Sequence, residues 1–410
     1  MISPRSVIVA LAVKFDTVIV RFGGEIGIKS EWTRKSYENL ILKNIKKSLA
    51  FYNVDFKEFL RYPGRIYIKT ESPIKASEKL VKVFGISSVS PAIETTSNIE
   101  DIEQKSLELA KEKLSENAKF AVRCRRVGIH TYTSMDVCRK IEQAILDELA
   151  DRELKVDLEN PDVEIQIEVR EDKAYIYVET LSGPGGFPLG VQPKLVCLLS
   201  GGIDSPVACW LVMKRGAPII PIYFDNYPFT DETTLKRAVK VAEKLAEWTI
   251  GHSMKLYIIP HGPNLIEIRE KCPERLTCLL CKRMMYRVAE EIARKEKAEG
   301  IVTGESIGEQ ASQTLWNLKV LDEAARQYPV YRPLIGSDKV ETERIAKKIG
   351  TYEISIQKVK GCEAVPRKPA TKASLKNVIE AEKALDIESM VRSSIRNAKI
   401  LDVSRKRVLE

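Results

Sequence analysis

The stretch that most constrains this chain is Leu198-Leu199-Ser200-Gly201-Gly202-Ile203-Asp204-Ser205-Pro206. Ahead of it, Lys194 to Leu199 is an apolar run of strand length. Behind it, Val207 to Met213 has the apolar density of a helix. Two adjacent glycines between strand and helix let backbone N–H groups turn inward and approach a ligand closely. The helix N-terminus adds its own unpaired donors and the positive end of its dipole. Ser200 and Ser205 supply hydroxyl donors, and Asp204 is placed to hold a magnesium ion against phosphate oxygens. No Gly-Lys-Ser/Thr closes the loop, so it is not a Walker A site. The segment reads as a phosphate cradle at the carboxyl end of a strand.

The segments around it supply the rest of the architecture. From Leu195 onward, strands at Leu195–Leu199, Ile219–Phe224, Leu256–Ile259 and Gly300–Thr303 are separated by helical stretches, notably Thr233–Trp248 and Lys282–Lys297. That rhythm predicts a parallel, doubly wound α/β sheet with ligands at the carboxyl ends of its strands. The first half reads differently. Thr17–Phe22, the helix Glu31–Leu49 and the strand Arg65–Lys69 suit a small ferredoxin-like α+β unit. Helices at Ile74–Phe84, Ile99–Leu114 and Ser134–Ala150 follow, with strands at Phe120–Arg126, Val163–Val169 and Lys173–Val178. The Gly- and Pro-dense segment 181–190 is the clearest linker. The expected division is residues 1–75, 76–183 and 184–410.

Composition narrows the class. With 410 residues there is room for two or three cores. The longest apolar segments, such as Val7 to Val13, are too short to span a bilayer. No small-residue cleavage site follows an adequate apolar region, so the expected location is cytoplasmic, with no membrane partner. The net charge is +9, yet residues 1–183 balance at 29 basic and 29 acidic side chains. The whole excess lies in residues 184–410. A basic surface around a nucleotide site fits a polyanionic substrate, and a Lys/Glu-rich solvated surface accounts for the charge equally well. Eight cysteines in a cytosolic chain of this size do not read as a disulfide framework. Cys124, Cys138, Cys197 and Cys209 lie in apolar or amphipathic runs and read as buried structural residues.

The loop Ser200–Ser205 resembles the PP-loop of ATP pyrophosphatases, and the wider chain resembles the tRNA 4-thiouridine synthetases (tRNA sulfurtransferases) of the type without a rhodanese domain. Arg21-Phe22-Gly23-Gly24-Glu25-Ile26 resembles the opening of that family's N-terminal domain. Phe120–Arg126 with the Ser134–Ala150 helix is similar to a THUMP RNA-binding module. Gly185–Gly190 looks like the family's entry into the catalytic domain. Thr303–Gly308 with Ala311–Thr314 is similar to its second nucleotide loop, and Pro333–Lys339 and Pro369–Lys372 also match. Glu309-Gln310 departs from the pattern, where glutamine and then an apolar residue would be expected. The chain stops at Glu410 without room for the rhodanese domain of many bacterial members, so sulfur is expected by another route.

The resemblance implies transfer of AMP from ATP to the C4 oxygen of a tRNA uridine (uridine 8), then displacement by sulfur to give 4-thiouridine. The implied ATP contacts are Leu198, Leu199, Ser200, Gly201, Gly202, Asp204, Ser205, Gly304 and Gln313, with Tyr223 and Phe224 bordering the adenine. Asp204 would position Mg²⁺, Lys339 would neutralise phosphate or adenylate charge, and Cys362 aligns with the family's sulfur-transfer cysteine. Cys278-Leu-Leu-Cys281, placed in a short loop before the Lys282–Lys297 helix, joins Cys362 as the implied ligand set of an iron–sulfur cluster, either [4Fe-4S] with an open iron or [3Fe-4S]. Cys272 leaves alternatives open: a closed four-cysteine zinc or cluster site, or redox cysteines without metal. His130, His252 and His261 are isolated and carry no assignment. Arg123, Arg125 and Arg126 are the implied RNA contacts. Partners are tRNA and a sulfur donor, free sulfide or a persulfide carrier, with a homodimer allowed. The family is also linked to making the thiamine thiazole. Two other readings remain: a PP-loop enzyme acting on another acceptor, and a nonenzymatic RNA-binding protein, against which intact Ser200, Asp204 and Ser205 argue.

Overall fold

The computed structural model describes residues 13–404, so most of the Val7–Val13 run and the last six residues lie outside it. The chain forms two compact units. One comprises residues 1–27, 48–81 and 86–185, and the other residues 28–47, 82–85 and 186–410.

The first unit is built on one mixed sheet of nine strands: β1 (Thr17–Phe22), β2 (Glu58–Tyr62), β3 (Arg65–Lys69), β4 (Ile86–Thr96), β5 (Lys119–Val127), β6 (Lys155–Val156), β7 (Val163–Arg170), β8 (Lys173–Tyr177) and β9 (Leu181–Ser182). Their order is β2-β3-β1-β4-β8-β7-β5-β6, with β9 pairing β4. The 11-residue β4 was not expected from the sequence. It joins the two halves, pairing β1 through Thr17↔Ala92 and β8 through Ile93↔Ile176. Pro91 sits in its middle opposite Val18, and a proline there argues against a central strand on sequence grounds. Tertiary pairing overrides that signal. The Ile99–Lys113 and Ser134–Glu148 helices close one core, burying Ile102, Leu109, Val137, Ile141 and Ile145 against β5 and β7. Both are well started: Asn98 caps the first, and Thr133 with Asp136 forms a capping box on the second.

The second unit has a six-stranded sheet: β10 (Leu195–Leu198), β11 (Ile219–Asp225), β12 (Lys255–Pro260), β13 (Ile301–Val302), β14 (Val330–Tyr331) and β15 (Lys399–Asp402). The order is β14-β13-β10-β11-β12-β15, all parallel except β15, which runs antiparallel to β12. Strand order reverses beside β10, where ligands bind in open α/β sheets. Helices on the two faces bury two separate cores. The linker at 181–190 proves ordered: Gly183 and Gly185 donate to Ser87 O and Ile86 O, while Phe187 and Gly190 donate to Lys214 O and Gly216 O.

Candidate functional site

Several polar groups of the second unit emerge at the carboxyl ends of its parallel strands. Ser200 follows β10, Asn226 follows β11, His261 follows β12 and Thr303 follows β13.

At the first of these ends, Ser205 Oγ accepts from Ser200 N at 2.9 Å and lies 3.0 Å from Ser200 Oγ, while Gly202 N donates to Ser200 Oγ at 3.2 Å. These bonds hold the loop curled before any ligand binds. The Asp204–Lys214 helix begins with no side-chain cap on its first turn, which leaves its N-terminal N–H groups to a ligand. Gly304 is required by packing: a Cβ there would lie 2.6 Å from Ser205 N. A Cβ on Gly201 would lie 2.6 Å from Arg237 Nε. Arg237 is anchored by Ser355 O and Gln357 O, and its Nε has no partner.

Lys339 starts the helix Lys339–Ile349, whose N-cap Asp338 and Glu341 form a capping box. Its ammonium reaches Asp204 Oδ1 at 2.8 Å and Glu309 Oε1 at 2.6 Å. Partial burial works against its charge, but these two carboxylates hold it above the ordinary lysine range. Glu309, the departure from the family pattern, thus has a partner. Leu198 and Leu199 lead into the loop, and Leu199 is buried. Gln313 is buried, with Oε1 lacking a partner. Tyr223 and Phe224 are both buried, in different cores, and Phe224 stands edge-on to the His261 ring.

The cysteines depart from expectation in their local structure. Cys278 and Cys281 lie within the Thr277–Glu296 helix, not in a loop ahead of it. The apolar segment from Leu276 onward extends that helix, and the i, i+3 spacing sets both thiols on one face. Cys281 is buried beside Leu265 and Ala364, with Cys362 packed at the edge of the same cluster. Burial, then the charges of Cys278 and Cys362, push the Cys281 thiol well up; burial, then Cys362, raises Cys278. Asn226 Nδ2 lies 3.9 Å from Cys362 Sγ. Cys272 is elsewhere, donating to Ala381 O at 3.4 Å inside the larger core. Among the described residues, no three His, Cys, Asp or Glu side chains converge closely enough to hold one metal ion. Cys197 and Cys209 are buried, as their apolar context implies, whereas Cys124 and Cys138 are only half-buried and line a cleft of the first unit.

Two residues went unread in the sequence. His261 is wholly buried with Nε2 3.3 Å from Cys281 Sγ. Its place one residue past an apolar strand was the available signal. Glu305, beside Gly304, accepts from Lys282 Nζ at 2.9 Å, Tyr286 Oη at 2.7 Å and Arg332 Nε at 2.9 Å. It ties the second loop to the helix that carries the cysteines.

In the first unit, Arg123 Nε donates to Glu164 at 2.8 Å, and Arg126 Nη1 donates to Gly128 O at 3.1 Å and faces His130 Nδ1. Arg125 is exposed. Arg123 and Arg125 line a cleft of about 450 Å³ with Tyr177, Gln166 and Glu142.

A phosphate loop at the reversal point of a parallel sheet defines a PP-loop nucleotide-binding protein. Family models match as a thiamine biosynthesis protein (ThiI) over residues 190–387, a THUMP domain over 96–179 and a ThiI ferredoxin-like domain over 17–90. A probable tRNA sulfurtransferase of Methanosarcina mazei is 43% identical over 388 residues, covering 94% of this chain and 95% of that one. One from Methanothermobacter thermautotrophicus is 42% identical over 382 residues, covering 92% and 95%. A crystal structure of a 4-thiouridine synthetase–RNA complex with bound ATP superposes with a TM-score of 0.84 at 32% identity, covering 95% of this chain and 99% of that one. The chain belongs to the tRNA sulfurtransferase family. Among the described residues, no helix is long and apolar enough to cross a membrane.

Proposed function

We propose that this chain is an ATP-dependent tRNA sulfurtransferase that converts a tRNA uridine, uridine 8, to 4-thiouridine in the cytoplasm. The observation that carries this is the gathering of a curled phosphate loop, the Asp204–Lys339 pair and three thiols from two distant segments within one unit.

The C4 oxygen of uracil leaves poorly. Its attack on the α-phosphorus of ATP expels pyrophosphate and makes the oxygen part of an AMP leaving group. A sulfur nucleophile then adds at C4, and AMP departs with the oxygen. The Ser200–Ser205 loop stabilises the charge developing on pyrophosphate, because its donors are in place beforehand. Lys339 neutralises phosphate charge beside them. The carboxylates gathered at Lys339, Asp204 foremost, are the hard oxygen donors Mg²⁺ takes, and the ion would supply further charge neutralisation there. Gly304 and Gln313 border the nucleotide. Tyr223 and Phe224, being buried, back the adenine side through packing.

Three cysteine thiols are the donor chemistry that an iron–sulfur cluster takes. Zinc would draw its sulfurs to about 2.3 Å from one centre, whereas a cluster spreads three ligating thiolates over separate irons. Cys278, Cys281 and Cys362 would hold it, and the chemistry it would supply there is sulfide-level sulfur for the activated base. Residues 1–75 and 76–183 would place the tRNA, with Arg123, Arg125 and Arg126 on its backbone, and residues 184–410 perform the chemistry.

The test is anaerobic reaction of the purified chain with tRNA, ATP and sulfide, followed by nucleoside mass spectrometry. Formation of 4-thiouridine at position 8 supports the reading. ATP turnover without any thiolated nucleoside would sink it.

A further inference from the structure

The chain contains three histidines, and the adenylation chemistry uses none of them. We infer that His261 is a positioning residue for sulfur delivery: it donates its Nε2–H to the Cys281 sulfur and holds that sulfur as the fixed corner of the three-cysteine set. The inference rests on the reading of Cys278, Cys281 and Cys362 as one sulfur-handling site.

The geometry leaves the ring one role. His261 is 0% exposed. Its backbone N–H donates to Asp225 O at 2.7 Å, and its carbonyl accepts from Leu265 N at 3.1 Å, so the residue is pinned where β12 ends. Asn264 Nδ2 lies 3.2 Å from Nδ1 and also donates to Ser394 Oγ at 2.9 Å. An amide N–H₂ group only donates, so Nδ1 is the acceptor and the single proton of the neutral ring sits on Nε2. That proton faces Cys281 Sγ at 3.3 Å, within range for a bond to sulfur. The Phe224 ring, 5.3 Å away and tilted 78°, blocks rotation of the imidazole.

The consequence is an asymmetry among the thiols. Cys281 is buried and held by a fixed N–H, whereas Cys362 is half-buried with its polar neighbour Asn226 Nδ2 at 3.9 Å. Cys281 is therefore the anchored sulfur, and Cys278 and Cys362, both half-buried, are the more accessible ones. A hydrogen bond to a ligating sulfur also draws electron density from it, which raises the reduction potential of bound iron.

The first measurement is histidine side-chain ¹⁵N–¹H correlation on the full-length, metal-free protein, in which three imidazoles are readily assigned. His261 should show the neutral Nε2–H tautomer, with a slowly exchanging proton whose shift moves in Cys281→Ala. An Nδ1–H tautomer, or a signal indifferent to Cys281→Ala, overturns the inference. The second is EPR-monitored redox titration of anaerobically purified protein. His261→Phe should lower the midpoint potential, and His261→Gln, which restores an N–H near the same point, should recover it. An unchanged potential in His261→Phe also overturns the inference. Wild-type protein purified without iron would refute the cluster reading instead, and the tautomer measurement would then decide the role of His261 alone.

Discussion

Two buried carboxylates, one in each unit, show how the same device serves different ends. In the first unit Glu168 on β7 accepts from Arg21 Nη2 at 2.9 Å, Arg65 Nε at 2.9 Å and Tyr67 Oη at 2.9 Å. Its partners come from β1 and β3, across the sheet, and the network holds strands together. In the second unit Glu305 is held by Lys282, Tyr286 and Arg332 with similar chemistry. Its partners lie on the cysteine helix and beside β14, so it braces the loop at Gly304 against the helix bearing Cys281. One carboxylate stiffens a platform; the other fixes two chemical loops relative to each other. Burial of a charge says that a position is over-determined, and only its neighbours say for what purpose.

The comparison is broken most severely by Asp204→Ala. If catalysis belongs to the second unit alone, ATP-to-pyrophosphate turnover should fall by at least about 100-fold, while tRNA affinity in filter binding stays near wild type. Equal losses in both would mean that the division between units is wrong. Next comes Glu305→Ala, which leaves half-buried Lys282 without its carboxylate, while Arg332 keeps Asp322, and should destabilise the second unit by about 1–3 kcal/mol. Urea unfolding followed by tryptophan fluorescence reads it, and a loss under about 1 kcal/mol would place Glu305 outside the bracing role.

A third prediction concerns acid. Burial alone would raise the Glu168 pKa, but Arg21 and Arg65 overcome it and hold the carboxyl at about 2, against an ordinary value of 4.5. A depressed folded pKa stabilises fully above the unfolded value and is lost as pH falls toward 2. The first unit should therefore lose up to about 3 kcal/mol between pH 4.5 and 2. Glu168→Gln should flatten that dependence, as read by hydrogen exchange across β1, β3 and β7. The smallest effect is on RNA. Arg125→Ala should lower the salt slope of tRNA binding by about one. Arg123→Ala and Arg126→Ala should do less, because Glu164, Gly128 O and His130 already engage those guanidiniums. Equal slopes for all three would remove this ranking.

Legibility followed sequence separation. The parallel strands and their helices were readable because apolar runs of four to seven residues are local. The strand β4 was not, since Pro91 and its serines give no strand signal and its pairing is wholly non-local. The cysteine helix was started too late, at Lys282 instead of Thr277. Its first turn carries no acidic residue, and the helix begins without a side-chain cap.

What the sequence determined by itself is the phosphate loop. Its donors fall within six consecutive residues, Ser200 to Ser205, and a strand–turn–helix with short-range serine hydrogen bonds sets their geometry. Resemblance added Lys339 and Cys362, which no local rule would have joined to it. The tertiary structure decided which side chains meet: Lys339 with Asp204 across 135 positions, Asn226 with Cys362 across 136, and His261 with Cys281 across 20. Such pairs depend on the crossovers of a parallel sheet, which bring strand ends together whatever their distance along the chain.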